Sequence, residues 1–164
     1  MSSIWQQIAN TILIEFSDLK DVSEITTLVV RLLIAALLGG ILGFEREQRG
    51  KAAGIKTHML VAVGAALFVL IPQQAGLTQE ELSRVMQGII AGIGFLGAGA
   101  ILKGHDEKDL KGLTTAAGIW LTAAIGVAAG LGRESSAILC TLLALLILLL
   151  MPRVVDRFDV KEKE

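Results

Sequence analysis

The chain has 164 residues, 53% hydrophobic, 19% charged and 4% aromatic, with a formal charge of −1 at pH 7 and a mean hydropathy of +0.66. An apolar share above the roughly 45–50% of soluble domains, with charges gathered in short clusters, excludes an ordinary water-soluble enzyme. The near-neutral balance supplies no basic field for nucleic acid, which is not expected as a partner, and the single cysteine, Cys140, can form neither an intrachain disulfide nor a zinc cluster and is expected to pack as a small apolar side chain.

In chain order, residues 1–24 read as an outer-face segment. The opening MSSIWQQIANTILIEF lacks a basic n-region and a small-residue cleavage site, so it is not read as a cleaved signal peptide. Ile4, Ile8 and Ile12 share one side of a helix with Trp5 and Phe16 nearby, while Gln6, Gln7 and Asn10 fall elsewhere, which predicts an interfacial helix on the outer leaflet.

Residues 25–151 read as a membrane domain of five spans at 25–44, 59–72, 85–102, 113–131 and 135–151, the second short unless it begins near Gly54. Helices of about 17–25 residues cross a hydrocarbon core roughly 30 Å thick, and they pair every backbone group internally. No span alternates as a barrel strand does, so the predicted class is an all-α integral membrane protein of five transmembrane helices, followed by a short tail at 152–164. All Lys and Arg residues except Lys20, Arg31, Arg84 and Arg133 fall in the first and third inter-span loops or in the tail. The positive-inside rule therefore makes those loops and the tail cytoplasmic and the N-terminus external.

In span one, Arg31 is the charge inside an apolar run, expected to snorkel outward toward Asp18, Asp21 or Glu24 or to serve a functional role; Arg84 lies at the start of span three. Glycines four apart, Gly39 with Gly43, Gly88 with Gly92 and Gly126 with Gly130, predict close backbone packing that makes spans one, three and four the tight core, with Gly94, Gly97 and Gly99 adding to the third. Leucine-rich span five is expected at the lipid-facing edge. The letters GIGFLG at 92–97 match a dinucleotide motif but lie inside a span, with no strand before them, and are read as helix packing. Pairs at one fixed offset, Gly39 and Gly97, Gly54 and Gly112, Thr57 and Thr115, Ala65-Ala66 and Ala123-Ala124, suggest two parallel-repeat hairpins with span five peripheral.

The loop FEREQRGKAAGIKTH concentrates Glu45, Arg46, Glu47, Arg49, Lys51, Lys56 and His58 at a membrane exit. Helical spacing pairs Glu45 with Arg49 and Glu47 with Lys51, and Thr57 is placed to cap the next span. Arg46, Lys56 and His58 are left over, making this the expected functional surface for a partner protein or an ion. The sequence His105-Asp106-Glu107 reads as a solvated turn rather than a metal site. No nucleophile–base pair, carboxylate pair or P-loop is recognisable, so neither an enzymatic activity nor a cofactor is expected.

The stretch RLLIAALLGGILGFEREQRGKAAGIKTHMLVAVGAALF from Arg31, SRVMQGIIAGIGFLGAGAILK from Ser83 and GLTTAAGIWLTAAIGVAAGLG from Gly112 together resemble the transmembrane domain of the MgtC/SapB family. By matching position the resemblance points to Arg31, Glu45, Arg46, Lys56, Thr57 and His58, and to Arg84, Gly92, Gly94, Gly97 and Gly99. Family members often carry an Asp before the Ser-Arg pair, where Glu80 and Glu81 stand here, and some have a soluble C-terminal domain where this sequence has a short charged tail. The resemblance implies a protein of the bacterial inner membrane linked to low magnesium, acid stress and survival in host cells, and the chain is expected to act as a homodimer. It implies modulation of other membrane machines such as membrane ATPases, or alternatively passage of Mg2+ or another cation.

Overall fold

Long apolar runs that must satisfy their own backbone groups fold as helices. The computed structural model describes residues 3–15, 21–103 and 110–159. Its helices are α1 (Ile4–Glu15), α2 (Val22–Gln48), α3 (Ile55–Gln74), α4 (Gln79–Gly99), α5 (Leu113–Gly130) and α6 (Glu134–Asp159). Strands β1 (Leu102–Lys103) and β2 (Leu110–Lys111) form a two-residue antiparallel ladder between α4 and α5. Five helices, α2 to α6, are long and apolar enough to cross a membrane. The second span begins at Ile55, and its 20 residues remove the shortfall expected from a start at 59.

The chain divides into residues 1–30 and residues 31–164. In the first unit α1 is exposed along its whole length, with Ile4, Ile8 and Ile12 on successive turns. The second unit has the distribution expected when the solvent is lipid. Its core is built largely from small residues, with Ala35, Ala62, Ala66, Ala129 and Ala137 fully buried. Leu33, Leu37, Leu60, Phe68, Phe95, Leu139 and Leu142 instead point outward. Apolar side chains gain nothing by leaving hydrocarbon for a protein interior, so close backbone contact drives the packing.

That contact is centred on α3 and α5, and here the expectation of a core from spans one, three and four is corrected. The most apolar window of α5 is 44% buried, against 17% in both α4 and α6. A Cβ on Gly126 would strike the Ala62 carbonyl oxygen and lie 2.9 Å from Ala62 C and Cα, and one on Gly130 would strike the Ala66 carbonyl. On α2, a Cβ at Gly39 would sit 2.6 Å from His58 O, and one at Gly43 2.6 Å from Ile55 Cα. These four glycines do bring helices together, but their partner is α3, where alanine supplies the smallness. Gly88, Gly92, Gly94 and Gly99 meet nothing within 4 Å of an added Cβ. The reason is that α4 leans on α5 more than on α3, leaving a groove of about 600 Å³ bordered by Gly88, Gly92, Gly64 and Phe68.

The two hairpins α2–α3 and α4–α5 bring equivalent positions together, the first more tightly than the second. Gly39 of α2 faces His58 of α3, and Gly97 of α4 faces Ala116 of α5, where a Cβ would be 3.7 Å from Ala116 Cβ. Gly43 lies against Gly54 O, and in the corresponding place Gly112 lies against Ile101 Cα. Gly54 and Gly112 each stand at a helix N-cap, Gly112 with φ +98°. Helix α6 sinks Ala137, Thr141 and Ala144 into the core with Leu145 and Leu148 packed against it, and leaves Leu139, Leu142, Leu143, Leu146 and Leu150 outward, as expected of the peripheral span. Cys140 is exposed on that outward side, not packed within.

Candidate functional site

The turn between α2 and α3 places most of the predicted functional residues. Helix α2 ends where Gly50, at φ +63°, lets its N–H donate to Glu47 O and the Lys51 N–H donate to Arg46 O, the paired bonds of a glycine-terminated helix. The chain then doubles back and Glu47 Oε2 accepts from Ile55 N at 2.8 Å, capping α3 from a residue in the last turn of α2. Two expectations are corrected here. Glu47 serves the α3 N-terminus instead of pairing with Lys51, and Thr57 is exposed and caps nothing, because the N-cap is Gly54 and it has no side chain to offer.

Since α2 runs to Gln48 and α3 starts at Ile55, Glu45, Arg46 and His58 belong to helical turns and not to a solvated loop. They are 8%, 3% and 1% exposed. One Glu45 carboxylate oxygen pairs with the Arg46 guanidinium and the other with Arg49 Nε at 2.6 Å, so the expected Glu45–Arg49 pair is present with a second arginine added. His58 Nδ1 lies 2.9 Å from Gly54 O, a carbonyl that can only accept. Nδ1 therefore carries the proton, and in the neutral ring Nε2 presents a lone pair. Nε2 is buried with no hydrogen-bond partner, and it faces Gly118 of α5, whose added Cβ would be 3.6 Å away.

Around these groups lies a chamber of about 170 Å³ bordered by Arg46, His58, Thr114 and Gly118, with Leu42, Leu121 and Ala144 deeper in. It adjoins a wider opening of about 600 Å³ bordered by Arg46, Arg49, Lys51 and Thr114 on one side and by Ile147, Leu148, Met151 and Pro152 of α6 on the other. Lys51, Lys56 and Thr57 are exposed. Thr114 and Gly118 complete the site without having been singled out from the sequence; only the repeat hinted at them, since it places the start of α5 in register with the start of α3.

Arg31 and Arg84 lie elsewhere. Arg31 forms a clip at the far end of the bundle: its Nη1 donates to Gln73 Oε1 and to Gly130 O, both at 2.8 Å, and Nε lies 3.9 Å from Glu134, while Asp18, one of its expected partners, lies outside the described residues. The guanidinium thus neutralises the exposed carbonyl end of α5 and ties it to α3 and α6. Arg84 is exposed and pairs with Glu80 one turn earlier at 3.2 Å. Glu81, in the neighbourhood where the family often has Asp, forms a capping box with Thr78 that starts α4.

Among the described residues no group of three or more His, Cys, Asp and Glu side chains could hold a metal ion; His105, Asp106 and Glu107 lie outside the described residues. The arrangement offers no nucleophile beside a base. It offers a buried ion pair, an unpartnered imidazole nitrogen and a basic rim.

Comparison with known proteins matches the MgtC family profile to residues 32–157. Protein SrpB of Synechococcus elongatus is 44% identical over 129 residues, covering 72% of this chain and 71% of that protein. The putative magnesium transporter YhiD of Escherichia coli is 39% identical over 127 residues, 73% of this chain and 58% of the relative. Protein MgtC of Salmonella typhimurium is 38% identical over 131 residues, 80% of this chain and 55% of the relative. The match thus spans little more than half the length of the last two. No solved structure matches the chain.

Proposed function

The chain belongs to the MgtC family, and from that premise we propose that it is a non-enzymatic regulator of other inner-membrane proteins, membrane ATPases among them, at low magnesium or in acid. The observation that carries the reading is the bond from Ile55 N to Glu47 Oε2, which ties the two sides of the α2–α3 turn into a fixed platform beside the buried Glu45–Arg46 pair, while Lys51, Lys56 and Thr57 remain exposed on it. A platform of this kind suits recognition by another protein better than catalysis. The N-out, C-in arrangement that puts it in the cytoplasm, the seating of α1 on the outer leaflet and a homodimer belong to the same proposal. The dimer is favoured by the open glycine side of α4, and disulfide crosslinking of Gly94→Cys in a Cys140→Ser background tests it.

Cation transport is the second reading, favoured by the printed name of the Escherichia coli relative, a putative magnesium transporter. Against it, Glu45, the buried acid among the described residues, is already engaged by two arginines, whereas Mg2+ is usually held by carboxylates with retained waters. Two measurements divide the readings. In a deletion strain, Lys56→Glu and the double variant Lys56→Ala/Thr57→Ala should fail to restore growth at low magnesium while reaching normal membrane abundance. Full rescue by both would remove the platform from the mechanism. Protein-dependent magnesium flux into dye-loaded liposomes would put transport first.

A further inference from the structure

The space beneath the α2–α3 turn joins two chemically different regions. Arg46, Thr114, Ile147 and Leu148 border both the inner chamber and the wider opening, so the two are continuous. The opening is basic: Arg46, Arg49 and Lys51 stand against the one carboxylate of Glu45, because Glu47 is committed to Ile55 N. The charge on that rim is therefore positive in excess. Inward of it the walls are Leu42, Leu121 and Ala144, and Ile147 and Leu148 continue them toward the outward, leucine-covered side of α6. At the junction the buried His58 Nε2 lone pair has no partner.

We propose that this space binds an anionic phospholipid from the leaflet at this end of the bundle. Its phosphate sits among Arg46, Arg49 and Lys51, and the beginning of one acyl chain enters between α2, α5 and α6. Both halves of the ligand are needed to match both halves of the site. A free inorganic anion would satisfy the rim and leave the apolar chamber unused, and a lipid of neutral headgroup would fill the chamber and leave the rim charge unanswered. Basic pockets between transmembrane helices select anionic headgroups on these grounds. His58 Nε2 accepts a hydrogen bond from a hydroxyl at the junction, an interaction open to a glycerol headgroup. The inference is independent of the regulatory reading, because it concerns a ligand and is read by binding alone.

The experiment uses the full chain in detergent, stripped of lipid, with native mass spectrometry reporting retention of phosphatidylglycerol against phosphatidylcholine of the same chains, and inorganic phosphate as competitor. Phosphatidylglycerol should be preferred, and excess phosphate should leave it in place. Lys51→Gln, at an exposed position that cannot disturb the core, should weaken phosphatidylglycerol by about fivefold, the contribution of one basic residue near an anionic lipid. Ala117→Leu, placed to fill the chamber from an exposed position on its wall, should reduce retention of the long-chain lipid while sparing a short-chain phosphatidylglycerol. A melting curve for each variant establishes that it is folded. Equal retention of the two headgroups, displacement by phosphate at matching concentration, or indifference to both substitutions would each overturn the proposal.

Discussion

Gly126→Ala and Gly92→Ala add the same methyl group to two transmembrane helices and should act in opposite directions. At Gly126 the new Cβ would collide with the Ala62 carbonyl and lie 2.9 Å from Ala62 C and Cα, all backbone atoms that no rotamer change can move. Overpacking costs about 1–3 kcal/mol, and a collision with backbone belongs at the upper end. Replacing glycine by alanine in a helix returns up to about 1 kcal/mol, leaving a net loss near 2 kcal/mol. For a chain of this size that is roughly 4–8 °C in melting temperature. At Gly92 no atom of this chain lies within 4 Å of the added Cβ, so in the detergent-dispersed monomer, without the dimer proposed through α4, only the propensity gain remains, and melting should be unchanged or up to about 4 °C higher. Thermal unfolding in one detergent, followed by loss of the monodisperse peak, measures both. Equal shifts in the two variants would refute the described α3–α5 crossing. A large loss at Gly92 alone would mean that something outside this chain packs on α4.

Four further substitutions probe the polar contacts. Arg31→Met removes the bonds to Gln73 and Gly130 O; with the guanidinium partly exposed, a loss of about 2 kcal/mol is expected in chemical unfolding, and a neutral result would show that the clip holds nothing. Glu47→Ala uncaps Ile55 N and should cost about 1 kcal/mol and speed hydrogen exchange at that amide, whereas Thr57→Ala should leave exchange there unaltered; the reverse ordering would return the cap to Thr57. Glu45→Ala strands the buried Arg46 cation, and a penalty of about 3–5 kcal/mol should appear as a collapse in folded yield, so that wild-type yield would mean Arg46 reaches water.

Membrane class and the five spans are legible in the sequence because an apolar run long enough to cross a bilayer needs no neighbour to define it. Which glycines pack is not legible. Gly92 and Gly126 have similar surroundings along the chain, and only the lean of α4 onto α5 leaves one open while the other is pressed against Ala62. Alanine does the same work as glycine on α3, so a search for glycine pairs passes over the central helix. In the candidate site the density of charge is visible, but its burial is not, since that depends on α2 and α3 each extending one turn past their apolar runs and carrying Arg46 and His58 inside. The Glu47 cap joins residues in different helices and leaves no local signature. The Thr78 and Glu81 capping box does leave one, three residues apart, and was readable.

The correspondence between Gly39 against His58 and Gly97 against Ala116 gives positions in one hairpin counterparts in the other. Two castings from one mould share whatever the mould requires, and anything present in only one of them was added for another purpose. His58 stands where its counterpart is a methyl group, and the Glu45–Arg46 pair likewise decorates the first casting. A saturation scan aligned copy against copy would therefore sort itself: positions at which both copies resist change report the shape of the bundle, and positions at which only the first resists report the use to which that shape has been put.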